Sequence, residues 1–85
     1  MKREPEFFGD QELVLVYMAR SLRKALAVEK ILDDAGLDYA VETGPYSSGI
    51  LFFSHKVGAF FYLLPADEER ARALLQENGY KPYRY

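Results

Sequence analysis

Few residues of this chain belong to types that do chemistry, and their spacing narrows the options further. Cysteine is absent and histidine occurs once, as His55, between Phe53 and Gly58. A zinc site needs several nitrogen, oxygen or sulfur ligands at ligand spacing, and a lone histidine in a turn has none near it. Ser47 and Ser48 lie in a glycine-flanked stretch. They lack the strand-turn-helix elbow and the paired base that turn a hydroxyl into a nucleophile. The carboxylates Asp33-Asp34 and Asp67-Glu68-Glu69 fall at expected helix ends, where they read as solvated termini rather than as an acid-base pair. There is no phosphate loop and no dinucleotide fingerprint. The sequence is therefore read as non-enzymatic, with no metal and no cofactor.

Two groups of polar residues remain as candidate binding sites. Arg20, Ser21, Arg23 and Lys24 cluster where a helix is expected to begin. Cations are disfavoured there by the helix dipole, yet beside free backbone N–H groups they make an anion site. The plain alternative is a solvated basic rim. Tyr46, Ser47 and Ser48 lie in Gly44-Pro45-Tyr46-Ser47-Ser48-Gly49, the densest turn signal of the chain, and are the residues a partner would grip. A third group is aromatic. In KVGAFFYLL (56–64), Phe60 and Tyr62 with Tyr17 imitate the base-stacking platform of RNA-recognition domains. The motif departs at Val57, Gly58 and Leu63, and a net charge of −2 argues against nucleic acid. Leu15, Tyr17, Phe60 and Tyr62 read better as an interface between copies of the chain.

The elements that carry these residues follow from apolar periodicity. Leu13–Met18 is an unbroken run of strand formers, too short for a good helix. Ser21 fits an N-cap, and Leu22, Ala25, Leu26, Val28, Ile31, Leu32 and Ala35 recur at helical spacing until Gly36. Tyr39 and Val41 begin a second strand. Ile50–Phe53 is a short apolar segment, with an extra strand at 50–54 as one reading. Ser54–Gly58 reads as a turn and Ala59–Leu64 as a third strand ended by Pro65. Asp67, Glu68 and Glu69 open a second helix that stops at Asn78-Gly79, and Tyr80–Tyr85 remains for a short edge strand. The order predicts an α+β ferredoxin-like βαββαβ sandwich, an antiparallel sheet with two helices on one face. All 85 residues form one domain, with 1–11 as an N-terminal arm and 12–85 as the core.

With that order in place, SLRKALAVEKILDDAGLDYAV (21–41) and LLPADEERARALLQENG (63–79) resemble a small bacterial family of prokaryotic signal-transducing proteins. These are domains of unassigned function whose fold is related to the PII nitrogen regulators. The resemblance covers about half the chain and implies a fold rather than an activity. Nucleotide binding by PII proteins uses a longer chain and basic loops with no counterpart here. It also places Tyr46 where PII proteins carry a partner-binding loop. The first helix is similar to that of a family of sulfur or selenium carriers, but that family's cysteine is absent.

The charged N-terminus has no apolar run of signal-peptide type, and no segment approaches the ~20 apolar residues that span a bilayer. Lack of cysteine in so short a chain fits an intracellular protein. The expectation is a cytoplasmic regulatory or protein-interaction module acting as a homo-oligomer. The alternatives are a sensor of an anionic metabolite at the start of the first helix, and a single-stranded RNA binder.

Overall fold

The computed structural model describes residues 1–46 and 56–83, with side chains for 1–44 and 57–83. Along the chain run β1 (Val14–Ala19), α1 (Leu22–Asp34), β2 (Ala40–Tyr46), β3 (Lys56–Leu63) and α2 (Glu68–Glu77). Short 3-10 turns occupy Pro5–Phe8 and Pro65–Asp67. The strands form one antiparallel sheet in the order β1-β3-β2.

Helix α1 begins, and both helices end, as their residues dictate. The Ser21 hydroxyl accepts a hydrogen bond from the Lys24 N–H at 3.2 Å and caps α1. Gly36, at φ +72°, then turns the chain so that the Leu37 N–H returns to the Leu32 carbonyl at 3.1 Å. Helix α2 ends the same way, with Gly79 at φ +84° and the Tyr80 N–H on the Leu75 carbonyl at 2.8 Å. Only a residue without Cβ takes that backbone conformation without strain.

Ala25, Val28 and Leu32 of α1 and Ala71 and Leu75 of α2 pack in one cluster with Val16, Tyr17, Ala19, Phe61 and Leu63 of the sheet. Burying this apolar surface is the main stabilising term of the domain. Leu22 and Leu26 fit the helical spacing but lie outside, and both are exposed.

Three sequence expectations change. Strand β2 runs through Gly44, Pro45 and Tyr46, where a turn was expected, and pairs them with Gly58, Val57 and Lys56. Gly44 faces Gly58 across the ladder, and a Cβ on Gly44 would rest on the Phe60 ring at 3.7 Å. Pro45 is tolerated because β2 is an edge strand. The same pairing carries β3 back to Lys56, inside the expected turn at 54–58.

The second change is a bulge in β1. Leu15 pairs with Tyr62 and Tyr17 with Phe61, so Val16 is the extra residue. The bulge breaks the alternation expected for β1. Val16 and Tyr17 are both buried in the helix-side cluster, and Met18, opposite Phe60, takes the place Tyr17 was expected to hold beside Leu15, Phe60 and Tyr62.

The third concerns the last expected strand. Tyr80–Tyr83 is not a strand, though the Tyr83 N–H donates to the Val16 carbonyl at 2.7 Å along the outer edge of β1. Pro82 has no N–H to continue a ladder. The reading of 50–54 as a strand falls outside the described residues.

The N-terminal arm is built into the fold. Lys2 bridges Tyr39 in parallel, the Arg3 N–H donates to the Tyr39 carbonyl at 2.7 Å, and Arg3 Nε reaches Asp38 Oδ1 at 2.9 Å. From this edge the arm must cross the end of β3 to reach Val14. Phe8 is buried on the way, and with Ala40 it lies outside the helix-side cluster.

Candidate functional site

Beyond the C-terminal end of β1 the structure has a groove of about 430 Å³. Three separate stretches of chain build it. From β1 come Tyr17 and Met18, and from the junction with α1 come Arg20 and, one turn on, Lys24. The segment that follows α2 supplies Gly79, Tyr80, Lys81 and Tyr83. Among the described residues the lining carries three cations and three phenols and no carboxylate.

The wall after α2 is held at each end. Gly79 and the Tyr80-to-Leu75 bond aim the chain back toward β1, and the Tyr83-to-Val16 bond fastens it there. Arg72 of α2, paired with Glu68 at 2.9 Å, also donates to the Tyr83 carbonyl. The β1 side is fixed by packing. The Tyr17 ring meets Phe61 edge-on at 6.3 Å between centroids and Tyr80 at 6.0 Å.

Tyr17 is 8% exposed and lines the groove. Burial raises its pKa, the Tyr80 phenol adds to the rise, and nearby Arg20 opposes it. The phenol therefore stays protonated at neutral pH and can donate. Lys24 and Lys81 form no ion pair with a described residue.

The expected anion site is partly assembled and partly dispersed. Arg20 and Lys24 enter the groove together. The Ser21 hydroxyl is engaged in the α1 cap, and Ser21 instead lines a second notch of about 190 Å³ with Leu22, Ala25, Thr43 and Val57. Arg23 lines neither. Tyr46, expected at the tip of a loop, instead ends β2, while Ser47, Ser48 and His55 lie outside the described residues. Leu15, Phe60 and Tyr62 remain on the open sheet face, half-buried, and Tyr17 has left them for the groove.

Lys81, Tyr80 and Tyr83 were missed as site residues when 80–85 was read as an edge strand. The signal was the alternation of aromatic and basic residues in Tyr-Lys-Pro-Tyr-Arg-Tyr, the last six positions. Among the described residues there is no acid, histidine and cysteine cluster able to hold a metal, and no helix long and apolar enough to cross a membrane. Compared with known families, with curated proteins and with solved structures, the chain gives no significant match.

Proposed function

We propose that this domain is a small regulatory binding module whose ligand is an anion held in the groove between β1, α1 and the segment after α2. The placing of Lys24 and Lys81, beside Arg20, on one concave surface with no carboxylate among its described residues carries this reading. Lys24 and Lys81, brought to one surface from two chain segments, repel, and an anion between them removes that cost. The tyrosines supply low-dielectric walls in which the attraction is stronger than in water.

Calorimetric titration with phosphate, sulfate and nucleotides tests it, on the wild type and on a Lys24→Ala/Lys81→Ala variant. At least one anion binds the wild type, and the variant loses about tenfold or more of that affinity while keeping its melting temperature. Equal heats for both proteins, or none for either, sink the reading.

The finer fold assignment belongs with this proposal. Tyr80–Tyr83 follows the free edge of β1, where a ferredoxin-like sandwich has its fourth strand. The order β1-β3-β2 supports that architecture, and through it the kinship with PII-related signal-transducing domains.

A second reading, self-association, rests on a different surface. Leu22, Leu26 and Val57 are 74%, 55% and 67% exposed, and Leu22 and Val57 share the smaller notch. Large apolar side chains grouped in this way are typical of contact surfaces. Sedimentation equilibrium at high micromolar concentration gives a dimer or larger species for the wild type and a monomer for Leu22→Ser/Leu26→Ser. A monomeric wild type removes this reading and leaves the groove untouched.

A further inference from the structure

We propose, resting on the self-association reading, that two copies of the chain join along the outer edge of β2, antiparallel and centred on Thr43. The two sheets then become one. Three observations lead there.

The first is which backbone groups of β2 face outward. Tyr39, the residue before β2, gives both of its groups to the arm. Its N–H donates to the Met1 carbonyl at 3.1 Å, and its carbonyl accepts the Arg3 N–H at 2.7 Å. Successive residues of a strand direct these groups to opposite edges. Strand β2 pairs with β3 without a register shift, from Ala40 opposite Tyr62 to Tyr46 opposite Lys56. Ala40, Glu42, Gly44 and Tyr46 therefore bond to β3, and Val41, Thr43 and Pro45 face away. Pro45, which has no N–H, stands where the ladder to β3 needs none. Among the described residues the arm pairs with this edge at Tyr39 and then turns away through Pro5–Phe8, and no strand pairs with Val41 or Thr43 on that side.

The second is what adjoins the edge. Val41 packs against the helix-side cluster, so Thr43, two residues on, lies on the same face. It lines the smaller notch with Leu22 and Val57, both exposed residues on which the self-association reading stands. The open ladder and the apolar surface thus adjoin at Thr43. A twofold axis normal to the sheet keeps the helices of both copies on one side, so a single join engages both features.

The third is self-complementarity, which selects a second copy as the occupant. With Thr43 opposite the other Thr43, each Thr43 N–H meets the other's carbonyl. Each Val41 N–H then meets the other copy's Pro45 carbonyl, the one backbone group that a proline can offer. Glu42 falls opposite Gly44, which carries no side chain. Centring the join on Glu42 would set two carboxylates directly opposite, which destabilises a strand pair, whereas facing threonines stabilise it.

The test uses the full chain. Hydrogen exchange is followed at low and at high micromolar concentration, with sedimentation equilibrium on the same samples. At the higher concentration the Val41 and Thr43 amides slow by about tenfold or more, while those of Glu42 and Gly44, bonded to β3, are protected at both. Thr43→Cys and Glu42→Cys are then oxidised separately. The chain has no cysteine of its own, so any disulfide joins two copies. Bonded antiparallel partners have Cα atoms about 5.5 Å apart, inside the disulfide range of about 4.4–6.8 Å. Thr43→Cys therefore cross-links about tenfold or more faster than Glu42→Cys. A self-associating wild type whose Val41 and Thr43 amides exchange equally at both concentrations overturns this inference. So does Glu42→Cys cross-linking as fast as Thr43→Cys. Either result leaves self-association through Leu22 and Leu26 standing, and a wild type that stays monomeric overturns both.

Discussion

Two buried phenols, Tyr17 and Tyr39, show how one residue type is used for opposite ends. Tyr39 is fully buried, and its hydroxyl donates to Asp33 Oδ1 at 3.0 Å, which ties β2 to the end of α1. Tyr17 instead lines the groove and packs edge-on against Phe61 and Tyr80. Burial raises both pKa values, and for Tyr39 the Asp33 carboxylate raises it further. In the unfolded chain each phenol titrates near 10.0. A group whose pKa is higher when folded contributes stability below its unfolded pKa and loses it as pH rises beyond. Denaturant midpoints measured against pH will accordingly be flat through neutrality and fall above about pH 10. Tyr39→Phe will cost about 1 kcal/mol at pH 7 and will make the alkaline fall shallower. An alkaline limb as steep in Tyr39→Phe as in the wild type would remove Tyr39 from the account. Neither role could be read from the sequence, where both residues are tyrosines within apolar strand runs.

The elements were readable to different degrees, for physical reasons. Both helices were, because capping and termination are local. Ser21, Gly36 and Gly79 stand at the positions that the backbone geometry requires. The sheet was less so, since its register depends on partners far along the chain. Gly44-Pro45 and Gly58 read as turns, yet opposite each other at a sheet edge they are paired strand residues. The bulge at Val16 leaves no mark in an apolar run such as Val-Leu-Val-Tyr-Met, although it decides that Tyr17 faces the groove. For the candidate site, Arg20 and Lys24 came from the helix boundary, whereas Lys81 required knowing that the segment after α2 returns to β1. Arg72 holds that segment through Glu68 and the Tyr83 carbonyl. Hydrogen exchange of Arg72→Ala will show faster exchange at the Tyr83 amide, with the amides of α1 unchanged, and titration will show weaker anion binding. Unchanged Tyr83 exchange would mean that the Val16 bond alone fastens the wall.

As a whole molecule, this domain has an 85-residue chain with which to cover a three-stranded sheet. Two helices pack with the sheet in one apolar cluster, and Phe8 of the arm is buried apart from it. A domain of this size buries a smaller share of its surface than a larger one does, so both surface readings have a physical motive. A partner on Leu22, Leu26 and Val57 would remove apolar surface from water, and an anion in the groove would relieve the repulsion between Lys24 and Lys81. The two surfaces lie on either side of the β1–α1 junction, one lined by Arg20 and Lys24 and the other by Ser21 and Leu22. An ¹⁵N chemical-shift titration of the full chain with inorganic phosphate at pH 7 tests the central claim most directly, because it reports place as well as affinity. The groove account predicts saturable shifts at the amides of Tyr17, Arg20, Lys24, Lys81 and Tyr83, with those of Thr43 and Val57 unmoved. Shifts centred on Leu22, Thr43 and Val57, or no saturable shift anywhere, would contradict it.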